Sequence, residues 1–383
     1  MRRALSSLAS HLASHRAARY LLALAIGLAS AQSACGGDPE PRPCGEPGDI
    51  CLVMGTGEQA FNGDGLPPEE TALNLPSAAQ YGPDGRLYVM DFNNYRLRCI
   101  VEAGVVESVA GSGVHAYATV NVDALESPLE NPIDFGFLPD GRVVFVSLHD
   151  PRVLVVEPDG TLVAIAGTGE EADTGDGGPA IQATFREVAS IAVAPDGTLF
   201  VSDDEAHRVR IIEPDGTIDT YAGTGEKGDS GDTGPAVEAR LNHPEGLALD
   251  AEGNLYVADT INHRIRRVDA TTGLIETVAG TGTQGDGGDG GPATEAELRF
   301  PSGVAVDDDG RVYIADTFNH RIRRVDRDGV IETIAGSEKG YAGNGGPAVD
   351  ALLKGPAYLE LEGDRLYVAD MQNQVVRVIH LPD

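Results

Sequence analysis

The chain has 383 residues, a formal charge of −32 at pH 7, 49 Gly, 23 Pro and no Trp. That length admits one large domain or two ordinary ones, and a hydrophobic content of 41% still allows a sizeable core. A body this acidic repels phosphate backbones and anionic membrane surfaces and favours cations, so nucleic acid is excluded as a partner unless a strong basic patch overcomes the field.

The first 20 residues carry only positive charge, at Arg2, Arg3, Arg16 and Arg19. The apolar run 21–29 follows; it is too short for a permanent span but fits the core of an export signal. Two cleavage sites are present. Ala29-Ser30-Ala31 is a small-residue site. Ser33-Ala34-Cys35-Gly36 resembles the bacterial lipoprotein box, with Gln32 where that family usually has Leu. The expected organisation is a signal peptide over 1–34, a lipidated tether and linker over 35–48, and one domain over 49–383. Cys35 is the expected lipidation site. The expected location is an outer-membrane or cell-surface lipoprotein, otherwise a periplasmic or secreted protein. Membrane contact is then through the lipid alone. Lipidation leaves Cys44, Cys51 and Cys99, and the short Gly-Glu-Pro-Gly turn favours a Cys44–Cys51 disulfide.

From residue 49 one unit repeats six times. A Gly that closes an apolar strand recurs at Gly55, Gly111, Gly167, Gly223, Gly280 and Gly336, always 56 or 57 residues apart. Each unit parses into a long Gly/Asp loop and four strands. In unit five these fall at 303–306, 311–315, 321–325 and 330–335, with hairpin turns at Asp308-Asp309-Gly310 and Asp328-Gly329. The second strand is apolar on both faces and the fourth alternates, as inner and outer strands do. Four antiparallel strands per unit predict a six-bladed all-β propeller. Small residues on the first strand (Gly246, Ala248, Gly303, Ala305) suit its crowded centre. Unit six stops after its third strand, so the segment 49–54 is expected to supply the fourth and close the ring.

The core of units four and five, Pro244 to Asp269 and Pro301 to Asp326, resembles the NHL repeat. Units one and six fit well, three in part and two poorly. The resemblance implies an exported bacterial NHL propeller. It leaves function open, because that fold serves binding domains, interaction platforms and a few enzymes.

Two loop motifs recur. The first joins strands two and three and reads Asp-x-x-Asn-His-Arg. It gives a candidate binding face of Asp91, Asn94, Asp203, His207, Asp259, Asn262, His263, Asp316, Asn319, His320, Asp370 and Asn373. The same Asp and Asn also cap turns through side-chain-to-backbone bonds. The second is the Gly/Asp loop, whose Asp64, Asp176, Asp232 and Asp289 are candidate Ca²⁺ ligands if the loops converge. Turn chemistry at positive φ is the competing reading. No other cofactor is implied.

Three enzyme classes lack a complete set of residues. A zinc-dependent amidating lyase needs several channel His, whereas the strand starts offer Leu75, Asn131, Glu187, His243, Phe300 and Gly355. A gluconolactonase-type site has only the scattered Asn131, Glu187 and Glu245. A Ser hydrolase lacks the G-x-S-x-G elbow. The expected function is therefore a non-catalytic, monomeric binding scaffold for a protein, small molecule or glycan, using the loop-rich face. A channel-centred metal-dependent hydrolase or lyase is the alternative.

Overall fold

The computed structural model describes residues 44–382. The expected signal peptide, Cys35 and most of the tether lie outside the described residues.

Six antiparallel sheets of four blade strands form the ring, and three of them carry a fifth, two-residue strand at the outer edge. Blade 5 shows the pattern: Gly303–Val306 innermost, then Val312–Asp316, Arg321–Val325 and, outermost, Ile331–Ala335. The second and fourth strands each start one residue later than the sequence suggests. Asp307 and Asp326 explain this, because their carboxylates accept the amides of Arg311 and Val330 inside the turns. Blades 1 to 4 span 76–110, 132–166, 188–222 and 244–279. The core lies between blades: Tyr256, Ala258 and Ile265 of blade 4 pack with Val304, Val312 and Ile314 of blade 5.

Blade 6 combines Pro356–Glu362, Arg365–Asp370 and Val375–His380 with the N-terminal strand Asp49–Met54. That strand pairs antiparallel with the last one, Ile50 opposite Ile379 and Cys51 opposite Val378. The closing strand is thus where the repeat count placed it. Cys44 and Cys51 form a disulfide, with Cα atoms 6.0 Å apart, and Cys99 is a buried free thiol.

The recurring Gly has a steric cause. At Gly280 φ is +95°, and a Cβ would lie 2.2 Å from the His263 carbonyl oxygen. The other five meet a backbone carbonyl oxygen at 2.1 to 2.4 Å. Only Gly allows the chain to pass there.

The Gly/Asp loops do not stand free on one face. Each folds back along the outer strand of its own blade, as in Gly178 opposite Ile218 and Gly346 opposite Ile50. Shorter bridges do the same in blades 1, 4 and 5: Leu66 to Val106, Pro235 to Leu274 and Pro292 to Val330. The loops therefore partly cover the outer strand edges.

Candidate functional site

The motif Asp residues are interior groups. Asp91, Asp203, Asp259, Asp316 and Asp370 end the second strands and are 0% exposed. Asp316 accepts the Arg299 amide at 2.7 Å through one oxygen and the Asn319 side-chain amide at 2.8 Å through the other. Asn319 also donates to the Gly285 carbonyl of the loop. Asn94, Asn262 and Asn373 repeat this bridge in their blades. Burial pushes the Asp316 carboxyl up to about 6, and Asn319, the Arg299 amide and Arg323 pull against it. These Asp and Asn side chains join strand to loop, which corrects the expectation that they present a ligand face.

The motif His has a further role. His207, His263 and His320 each accept, through Nδ1, the backbone amide that opens the next blade, at His243, Phe300 and Gly355. Gln374 does this from blade 6 to blade 1, its Oε1 accepting the Leu75 amide at 2.6 Å. All four donating residues have φ between +48° and +61°. These contacts staple consecutive blades.

The arginines that pair with the Asp residues lie two positions beyond the motif. Arg98, Arg210, Arg266, Arg323 and Arg377, in the third strands, are fully buried. Arg323 reaches Asp289 at 2.6 Å and Asp316 at 3.9 Å. Arg98 holds Asp64 at 3.0 Å, Arg266 holds Asp232 at 2.7 Å, and Arg210 holds Asp176. Thr220 and Thr277 donate to Asp176 and Asp232 from the outer strands. The four candidate Ca²⁺ ligands are thus each bound to a guanidinium inside a separate blade and do not converge. That overturns the shared cation site.

The ring departs from this pattern over blades 2 to 4. Glu130 is held by two histidines, His115 Nε2 at 2.8 Å and His149 Nδ1 at 3.1 Å. Burial opposes its charge, yet His149 and His115 keep its carboxyl below the usual range. His115 also bonds Asn131 at 3.0 Å and stacks on Tyr95. Across the next boundary, His243 Nδ1 lies 2.9 Å from Asp204, and His207 packs edge-on against His243. Burial and the neighbouring His243 lower the His207 pKa. Ligand atoms of Asp204, Glu205 and His243 lie within 4.8 Å of one another, a donor set that suits one divalent cation. Sequence reasoning named Asn131 and His243 as isolated strand starts. It missed His115, Glu130 and His149, which come from a loop and a turn that do not repeat.

Comparison with known proteins agrees with this architecture. The family model described as the Teneurin NHL domain matches residues 213–286 and 281–341. NHL repeat-containing protein 2 of Bos taurus is 31% identical over 290 residues, covering 67% of this chain and 39% of that protein. Teneurin-3 of Danio rerio is 39% identical over 161 residues, 39% of this chain and 5% of that one. The chain thus spans about two fifths of the length of the first of these relatives. Among solved structures, an auxiliary nutrient binding protein from Bacteroides thetaiotaomicron superposes with a TM-score of 0.62 at 14% identity, covering 86% of this chain and 75% of that one. A gluconolactonase from Xanthomonas campestris gives 0.55 at 15% identity, with 89% and 99% covered. The repeat sequence, the six-bladed ring and these matches together support an NHL propeller. Nothing in the relatives indicates a cofactor.

Proposed function

We propose that this ring is a non-catalytic extracytoplasmic binding scaffold whose ligand sits on the loop-rich face over blades 2 to 4. One observation carries the reading. Most other motif side chains are spent on tying strands and blades together, whereas here two clusters stand apart, His115 and His149 on Glu130, and His243 on the buried Asp204. Mixed imidazole and carboxylate groups suit a polar ligand, a protein segment, a glycan or a small molecule, rather than a polyanion such as nucleic acid. The protein is exported as a monomer and held at the membrane by a lipid on Cys35.

Two measurements test this. Cys35→Ser should release the protein from the membrane fraction of a bacterial host, and unchanged partitioning would reject lipidation there. Peptide and glycan arrays probed with the full chain should give hits that His115→Ala with His149→Ala weakens at least tenfold. Hits that bind both proteins equally would remove the rim as the site.

A second reading rests on Asp204, Glu205 and His243 as metal ligands of a hydrolase or lyase. It requires stoichiometric zinc or manganese binding that His243→Ala abolishes.

A further inference from the structure

The central channel is divided. The Tyr358 hydroxyl, on the innermost strand of blade 6, donates to the Ala189 carbonyl of blade 3 on the far side of the ring. On the side of the strand-one-to-two hairpins lies a cavity of about 460 Å³. Its lining begins at Ala78, Asp134 and Tyr358, runs out to Pro83 and Pro139, and includes none of the rim residues over blades 2 to 4. It is a separate chamber opening on the opposite face.

Its charge is one-sided. Asp134 and Glu360 both line it, and no Lys, Arg or His does. Asp134 is fixed by neutral donors, the Ser190 hydroxyl at 2.6 Å and the Ile191 amide at 3.0 Å. Among the described residues, Glu360 accepts the Gln80 side-chain amide at 3.1 Å. Among the described residues, the groups acting on Glu360 are Asp134 from blade 2, Gln80 from blade 1 and Glu362 from its own strand, while the Arg365 guanidinium lies over the Tyr81 ring, 5.8 Å from its centroid. Burial first, then the Asp134 charge, pushes the Glu360 carboxyl up to about 8, and burial pushes Asp134 up to about 6. The remaining wall is apolar and aromatic, with Tyr81, Phe135, Phe137 and Tyr358.

We propose that this chamber binds a small organic ammonium ion, its charged head between Asp134 and Glu360 and its alkyl body against the aromatic wall. Three features select this chemistry. Two carboxylates in a lining that holds no Lys, Arg or His attract a cation. Aromatic faces add cation–π attraction. Two carboxylates alone supply fewer oxygens than the roughly six to eight that Ca²⁺ takes. The acidic body of the protein concentrates cations at the entrance.

The probe is n-butylammonium, titrated calorimetrically into the full chain, with n-butanol as its neutral analogue. The expected result is saturable binding, at least tenfold tighter than that of butanol. Glu360→Gln, which keeps shape and removes charge, should weaken it at least tenfold, as should Asp134→Asn. The rim variant His115→Ala with His149→Ala should bind as wild type does, so this test is independent of the loop-face reading. Affinity should rise with pH by up to about tenfold per unit between pH 6 and 8, with proton release. Equal binding of butanol, wild-type affinity in Glu360→Gln, or a flat pH profile would each overturn the proposal.

Discussion

Blades 5 and 2 hold the same four strands by different chemistry. In blade 5 the buried Arg323 links the Asp316 at the strand end to the Asp289 of the loop. In blade 2 the corresponding places hold Leu154 and Ser147, both 0% exposed, and neither carries a charge. The ion pair has moved to the turn, where Asp150 and Arg152 meet through two bonds of 2.6 Å. Asp150 also accepts the Ala118 amide of the preceding loop. That loop lacks the Gly-Asp-Gly core, yet it still reaches the outer strand, Val122 opposite Leu162. Strand pairing and packing between blades therefore build the propeller, while the buried Arg decides how the Gly/Asp loop is tied down. The freedom this gives blade 2 is where the loop face acquires its own side chains.

The largest break removes what both blades depend on, ring closure. Deleting 49–54 takes the outer strand from blade 6 and the partner of Gly346. Loss of cooperative unfolding or aggregation is expected, because an unpaired edge and lost burial act together. A truncated protein with the wild-type melting temperature would defeat the closure argument. The next break is confined to blade 5. Arg323→Leu alone leaves Asp316 buried without its guanidinium and should cost about 3–5 kcal/mol. Adding Asp316→Ser and Asp289→Ser imports the solution of blade 2 and should recover at least half of that loss in denaturant titration. Equal stability of the single and triple variants would mean that the two blades are not alternative solutions.

Part of this was legible in the sequence. The Gly spacing encodes a backbone contact that no side chain tolerates, so it gave the blade count and the place of the closing strand. The Asp and Asn of the motif were recognisable as turn formers, but not as buried groups. The Arg of the motif itself is Arg96, Arg264 or Arg321, whereas the buried partners sit two residues on, at Arg98, Arg266 and Arg323. A signal existed: unit two lacks both the Gly/Asp core and the second Arg, with Leu154 in its place. The chamber was not legible. Asp134 and Glu360 occupy different positions in blades 2 and 6, and only closure of the ring brings them to one cavity.

The smallest effect concerns the staples that blade 2 does not share in this form. His320 Nδ1 accepts the Gly355 amide at 3.1 Å, so that nitrogen must be unprotonated. Burial, with the charges of Lys339, Arg299 and Lys354, holds the His320 pKa at about 4, below the usual 6.5. The folded state thus disfavours the proton. Its contribution is complete above pH 6.5 and is lost as pH falls from 6.5 through about 4. Asp316 runs the other way: its carboxyl, raised to about 6, favours the folded state at low pH and loses that contribution as pH rises through 6. The pH profile of the wild type mixes the two, and a single substitution separates them. His320→Gln copies blade 6, where Gln374 makes the same bond without titrating in this range. At pH 7 the variant should stay within about 1 kcal/mol of wild type, the scale of one hydrogen bond exchanged for another. Between pH 6.5 and 4.5 it should lose less stability than wild type in urea titrations. A matching loss in both proteins would show that the neutral His320 ring does not govern the joint between blades 5 and 6.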